Sequence, residues 1–97
     1  MKPQALVVEI LGTFIFFSII LSAVAESSYG PIAIAVGLLA AIYFGGKISG
    51  GHYNPAVSIM MFFKGSLSLS TTVGYIIAQL TGALLALLTN SYLIGSV

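Results

Sequence analysis

The chain contains no cysteine, so neither a disulfide framework nor a thiolate metal site can be built from it. Arginine, aspartate and tryptophan are missing as well, and charge is confined to Lys2, Glu9, Glu26, Lys47 and Lys64. Charged residues make up only 5% of the chain, against about 25% in soluble domains. A net charge of +1 gives no electrostatic basis for binding nucleic acid. With a single histidine, His52, and no aspartate or cysteine, the sequence gives poor support for an acid, base, nucleophile or metal cluster built around a substrate. The chain is therefore not expected to be an enzyme, and no cofactor or metal is implied.

What remains is apolar: 59% of the 97 residues are hydrophobic, which marks an integral, multi-pass membrane protein of one domain, residues 1–97. Residues 5–25 run without a Gly-Pro break and reach about 31 Å as a helix, enough to span a hydrocarbon core. A signal-peptide reading of this segment, with Lys2 as its basic head and Ala23-Val24-Ala25 as a cleavage pattern before Glu26, conflicts with the length of the run and with Glu9 inside it. Glu9 is costly in hydrocarbon unless it turns inward and finds donors, so it is a functional-site candidate; its bland reading is snorkelling from near the interface. Thr13 follows one turn later on the same face. After the polar loop Glu26 to Gly30, a second span is expected over 31–46. Its Ala33, Gly37, Ala41 and Gly45 form a small-residue stripe at i+4 steps, a face that lets membrane helices approach closely. A third span, 67–94, carries a second such stripe at Gly74, Ala78, Gly82 and Ala86. Gln79, near the centre of that span, needs partners from loop backbone or another helix.

Between the second and third spans the pattern breaks, in the stretch 49–64 that opens S-G-G-H-Y-N-P-A-V. Gly50 and Gly51 let the backbone run extended and come close to another group. Asn54 is a favoured N-cap and Pro55 a favoured first helical residue, and the apolar run after Ala56 ends at Lys64. That helix reaches about 16 Å, roughly half a bilayer core, so it is predicted to enter the membrane and stop midway. The expected fold is thus all-α: span, span, re-entrant half-helix, span. The three lysines then share one side, which places the N-terminus and the re-entrant loop in the cytoplasm. Non-helical backbone at membrane depth must be buried in protein or line a water-filled path. Ser49 to Tyr53 would offer a ladder of carbonyl acceptors, and the half-helix N-terminus with Asn54 would offer donors. Such a lining suits a neutral hydrogen-bonding solute and repels cations, protons included.

The string S-G-G-H-Y-N-P-A-V, with Glu9 and Gly12-Thr13-Phe14 in the first span and Tyr75, Ala78-Gln79 and Gly82-Ala83 in the third, resembles the first half of an aquaporin or glycerol facilitator, the major intrinsic protein family. The resemblance covers nearly the whole chain. It implies that Asn54 contacts the permeating solute at mid-membrane and that Pro55, Ala56, His52 and Tyr53 belong to the pore loop. Glu9 and His52 would be buried supports of that loop, with Gln79 beside them, and Gly50 and Gly51 would allow its close turn. Ile34 would take the second-span position of the family's selectivity filter. A lone histidine is more often structural than a gate or a metal ligand, and His52 is read so here.

Members of that family are built from two inverted halves, and this sequence holds one. The expected partner is a second copy, packed antiparallel with the small-residue stripes as seam, with a tetramer of such dimers as the larger assembly; the alternatives are a separately encoded half or a truncated chain that never assembles. The shared side of the three lysines favours a single orientation and so argues against the homodimer. The family's second half carries an arginine after its tripeptide, whereas Val57 stands there in this chain. A filter made by Ile34 and Val57 is therefore expected to be apolar, passing glycerol, urea or ammonia as well as water. The expected location is the plasma membrane. The rival of another class is a non-conducting assembly subunit.

Overall fold

In a computed structural model, residues 2–25 and 30–95 are described; Glu26 and the rest of the polar loop after the first span lie outside them. Helices are the only regular elements among these residues: α1 (Pro3–Ala25), α2 (Gly30–Ser49), α3 (Pro55–Lys64) and α4 (Leu69–Ile94). The all-α architecture expected from composition is the one found. Three helices, α1, α2 and α4, are long and apolar enough to cross a membrane, and α3 with its 10 residues is not.

Local chemistry sets the ends of the helices. The Asn54 side chain accepts from the Ala56 amide at 2.9 Å, and Pro55 follows as the first helical residue, so α3 begins where its first free amide finds an acceptor. Gly65, at φ 91°, ends α3, and the amides of Gly65 and Ser66 return to Phe62 and Met61 carbonyls at 3.0 and 2.9 Å. Ser68 caps α4 by accepting from the Thr71 amide at 3.1 Å, so the helix begins at Leu69, two residues beyond the expected start at 67. The α2 helix runs past its expected end at 46. Gly50 still donates to the Gly46 carbonyl at 2.8 Å, so Lys47 lies within the last turn and Ser49 is helical rather than the head of the extended stretch.

Packing centres on α1, which lies against both α2 and α4, while α3 rests on α4 alone. Both small-residue stripes are used in this packing. Gly37 faces Ile19 and Gly45 faces Val8, while a Cβ on Gly82 would stand 2.5 Å from the Ile10 carbonyl oxygen. This corrects the expectation that the stripes form a seam with a second half: they close against α1 within the chain. The reason is that they let α1, which carries the buried carboxylate, approach its neighbours closely. Gly74, at the start of the α4 stripe, is half-buried.

Polarity is inverted relative to a soluble domain. Glu9, Thr13, Ser49, His52, Ser58, Thr72 and Gln79 are buried, while Tyr43, Phe63 and Tyr92 lie 80% or more exposed. An outer surface of this kind is stable in hydrocarbon and not in water. Gly82→Ala is expected to destabilise the protein by about 1–3 kcal/mol, because the opposing atoms are backbone. Gly37→Ala is expected to cost less, since the Ile19 side chain can move. Equilibrium unfolding in detergent mixtures should rank the two in that order.

Candidate functional site

Where α2 ends, the chain doubles back through Gly50 to Asn54 and places its backbone against Glu9. The Glu9 side chain is fully buried, which rules out the snorkelling alternative. One carboxylate oxygen, Oε2, accepts from the Ser49 hydroxyl at 2.7 Å and the His52 amide at 3.2 Å. The other, Oε1, accepts from the Tyr53 amide at 2.9 Å and Gln79 Nε2 at 2.8 Å. Four uncharged donors from α2, the loop and α4 thus converge on one acceptor-only group. Ser49 in turn accepts from the Gly51 amide at 3.1 Å.

The turn needs left-handed backbone at three positions, Gly50 (φ 93°), Gly51 (φ 64°) and Tyr53 (φ 51°). Glycine takes this conformation freely, but a tyrosine there costs about 1–2 kcal/mol. Tyr53 is held by its amide on Glu9 and by its hydroxyl, which donates to the Ala41 carbonyl at 2.6 Å. Its ring occupies the space that Gly12 and Gly45 leave by having no side chain. Tyr53, grouped above with the pore residues, is therefore wholly buried in the α1–α2 core. The correction follows from the left-handed φ, which turns the ring inward while the backbone stays in the loop.

The opposite side of the loop is open. Asn54, Gly50 and Ala56 are exposed, with Gly51, Pro55 and Val57 half-buried. Asn54 spends its Oδ1 on the helix cap, which leaves Nδ2 free. Among the described residues the carbonyls of Gly50, Gly51, His52 and Tyr53 accept no hydrogen bond. His52 is buried, with its ring edge-on to Tyr75 at 5.1 Å and its Nδ1 2.8 Å from the Ser58 hydroxyl. Gln79 bridges α1 and α3, since its Nε2 also reaches Ser58 Oγ at 2.8 Å. Ile34 is half-buried on α2, and α2 makes no contact with α3, so one chain does not bring Ile34 and Val57 together.

Several residues of the site were not singled out for these roles by sequence reasoning. Ser58 is a polar residue in an otherwise apolar half-helix, one turn after Asn54, and that isolation was the available signal. Tyr75 donates to the Ser49 carbonyl at 2.5 Å and so closes the end of α2. Gly12 makes room for the Tyr53 ring, and nothing in local sequence links the two.

The family model described as "Major intrinsic protein" matches residues 4–96. Curated relatives include a "Glycerol uptake facilitator protein-like 6" of Lactiplantibacillus plantarum, 41% identical over 80% of this chain and 38% of its own length. A "Probable aquaporin TIP2-2" of Oryza sativa subsp. japonica is 35% identical over 95% of this chain and 43% of its own length. The "Lens fiber major intrinsic protein" of Gallus gallus is 36% identical over 84% of this chain and 34% of its own length. The chain thus spans about two-fifths of the length of these relatives. No solved structure gives a significant match.

Glu9→Gln keeps the shape of the side chain but turns an amide nitrogen toward two of the four donors. The expected cost is about 2–6 kcal/mol, from two buried donors left unpaired at about 1–3 each. Hydrogen exchange at the His52 and Tyr53 amides should rise sharply in this variant, and unchanged protection would show that Glu9 does not hold the loop.

Proposed function

The chain belongs to the major intrinsic protein family, and from that premise we propose that it forms one half of a passive channel for water and small neutral solutes, completed by a second half in inverted orientation. It is an integral membrane protein with three helices of spanning length, for which we take the plasma membrane as the site of action. The observation that carries the reading is the open side of the loop. Free carbonyls and an exposed Asn54 lie on a surface whose other exposed residues are largely apolar. Facing lipid, those groups would be unsatisfied at several kcal/mol each, so they belong beside a water-filled path.

The chemistry of that path follows from its lining. The loop carbonyls accept, Asn54 Nδ2 donates, and α3 directs the positive end of its dipole toward the same point, an arrangement that favours neutral solutes able to do both and opposes cations. The 10 residues of α3, about 15 Å, support its re-entry to mid-membrane. In an antiparallel pair each constriction would join Ile34 of one half to Val57 of the other, an apolar filter that admits glycerol, urea or ammonia beside water. We take the second half to be another copy of this chain, with a separately encoded half as the competing source.

Reconstituted liposomes should shrink in sucrose faster than empty vesicles and re-swell in glycerol. No water permeability above empty vesicles, with insertion verified, would remove the channel reading in favour of a non-conducting assembly subunit. Exclusion of glycerol would remove the apolar filter. Asn54→Asp should lower flux or admit cations. Cross-linking between N-termini should fail in an antiparallel pair, whereas bonds formed between cysteines placed at position 2 of one copy and position 93 of another would establish it.

A further inference from the structure

Glu9 constrains more than the loop backbone, because an acceptor-only carboxylate dictates how the next group must orient. Facing Glu9 Oε1, the Gln79 amide has to present Nε2; the flipped amide would set oxygen against oxygen. That choice leaves Gln79 Oε1 buried and without a partner, the mark of an orientation imposed from outside. The second hydrogen of Nε2 then goes to Ser58 Oγ at 2.8 Å. Ser58, fully buried, has become an acceptor, and its single hydrogen has one polar side chain to go to, His52 Nδ1 at 2.8 Å. Were Nδ1 to carry a hydrogen instead, Ser58 would receive two donors and its own hydrogen would be displaced from the ring. In neutral imidazole the remaining hydrogen must sit on Nε2.

Nε2 lies on the open side of the loop. The position a Cβ on Gly50 would occupy is 3.3 Å from it, and Gly50 is exposed. Among the described residues Nε2 has no protein partner, yet it is not among the sealed unpartnered atoms, which are Thr13 Oγ1 and Gln79 Oε1. We propose that Glu9, acting through Gln79 and Ser58, fixes the His52 tautomer so that Nε2–H is a hydrogen-bond donor presented to the solute path beside Gly50. Gln79 and Ser58 are then positioning residues, and His52 supplies a donor among carbonyl acceptors, suited to a neutral solute that carries an acceptor oxygen or nitrogen. The donor's meeting with a solute rests on the channel reading; the tautomer does not.

Because the chain has a single histidine, protein labelled with ¹⁵N-histidine in lipid bilayers gives two unambiguous ring resonances. At a pH roughly two units above the ordinary imidazole value, Nδ1 should resonate as an unprotonated nitrogen and Nε2 as a protonated one. A population carrying its hydrogen mainly on Nδ1 would overturn the relay, and this native spectrum decides without any variant. Ser58→Ala should yield a mixture of both tautomers, and an unchanged spectrum would show that Ser58 does not set it. Nε2–H should also receive magnetisation from water. No transfer would end its role as a donor to the path, and the absence of flux in liposomes would end the channel reading while the tautomer stands.

Discussion

A carboxylate without a cation beside it can be kept inside a membrane helix bundle only if donors fill its oxygens. Glu9 meets that condition with two hydrogen bonds on each oxygen, drawn from α2, the loop and α4. The rest of the structure depends on this convergence. The donors come from three different segments, so the burial of the charge and the course of the loop are tied to each other. Removing any donor exposes the group to the cost it was arranged to avoid.

Holding the loop from one side leaves the other free. Amides of His52 and Tyr53 turn toward Glu9, and the left-handed backbone of Gly50, Gly51 and Tyr53 aims the neighbouring carbonyls away from it. The strain at Tyr53 is offset by a buried ring and a hydroxyl bonded to Ala41. Glycines at 12 and 45 contribute by being small enough for that ring. The supported side and the open side are thus opposite faces of one loop, Gly50 to Asn54, with the His52 and Tyr53 amides bonded on one and, among the described residues, the carbonyls of Gly50 to Tyr53 unbonded on the other.

Much of this was legible in the sequence. Scarcity of charge indicated a membrane protein, the Asn54-Pro55 pair marked the start of α3, and a carboxylate within the first span announced a buried acceptor. The small-residue stripes were legible as packing faces, but their partner was not. Periodicity shows that a face is small, and only the placement of α1 shows that both stripes close on it. The extension of α2 to Ser49 was also hidden, and the carbonyl at its end is met by Tyr75, 26 residues further along the chain.

Local backbone preference and transfer cost, both written in the sequence, set the number and order of the helices, the start of the half-helix and the residues that could not face lipid, but not the last turn of α2. Tertiary structure alone decided who answers Glu9, that Tyr53 points into the core while Asn54 points out, and that Ser58 and Gln79 join His52 to the carboxylate. These depend on distances between residues up to 70 positions apart, and hydrogen bonding, unlike helix propensity or hydropathy, is fixed only when both partners have been placed.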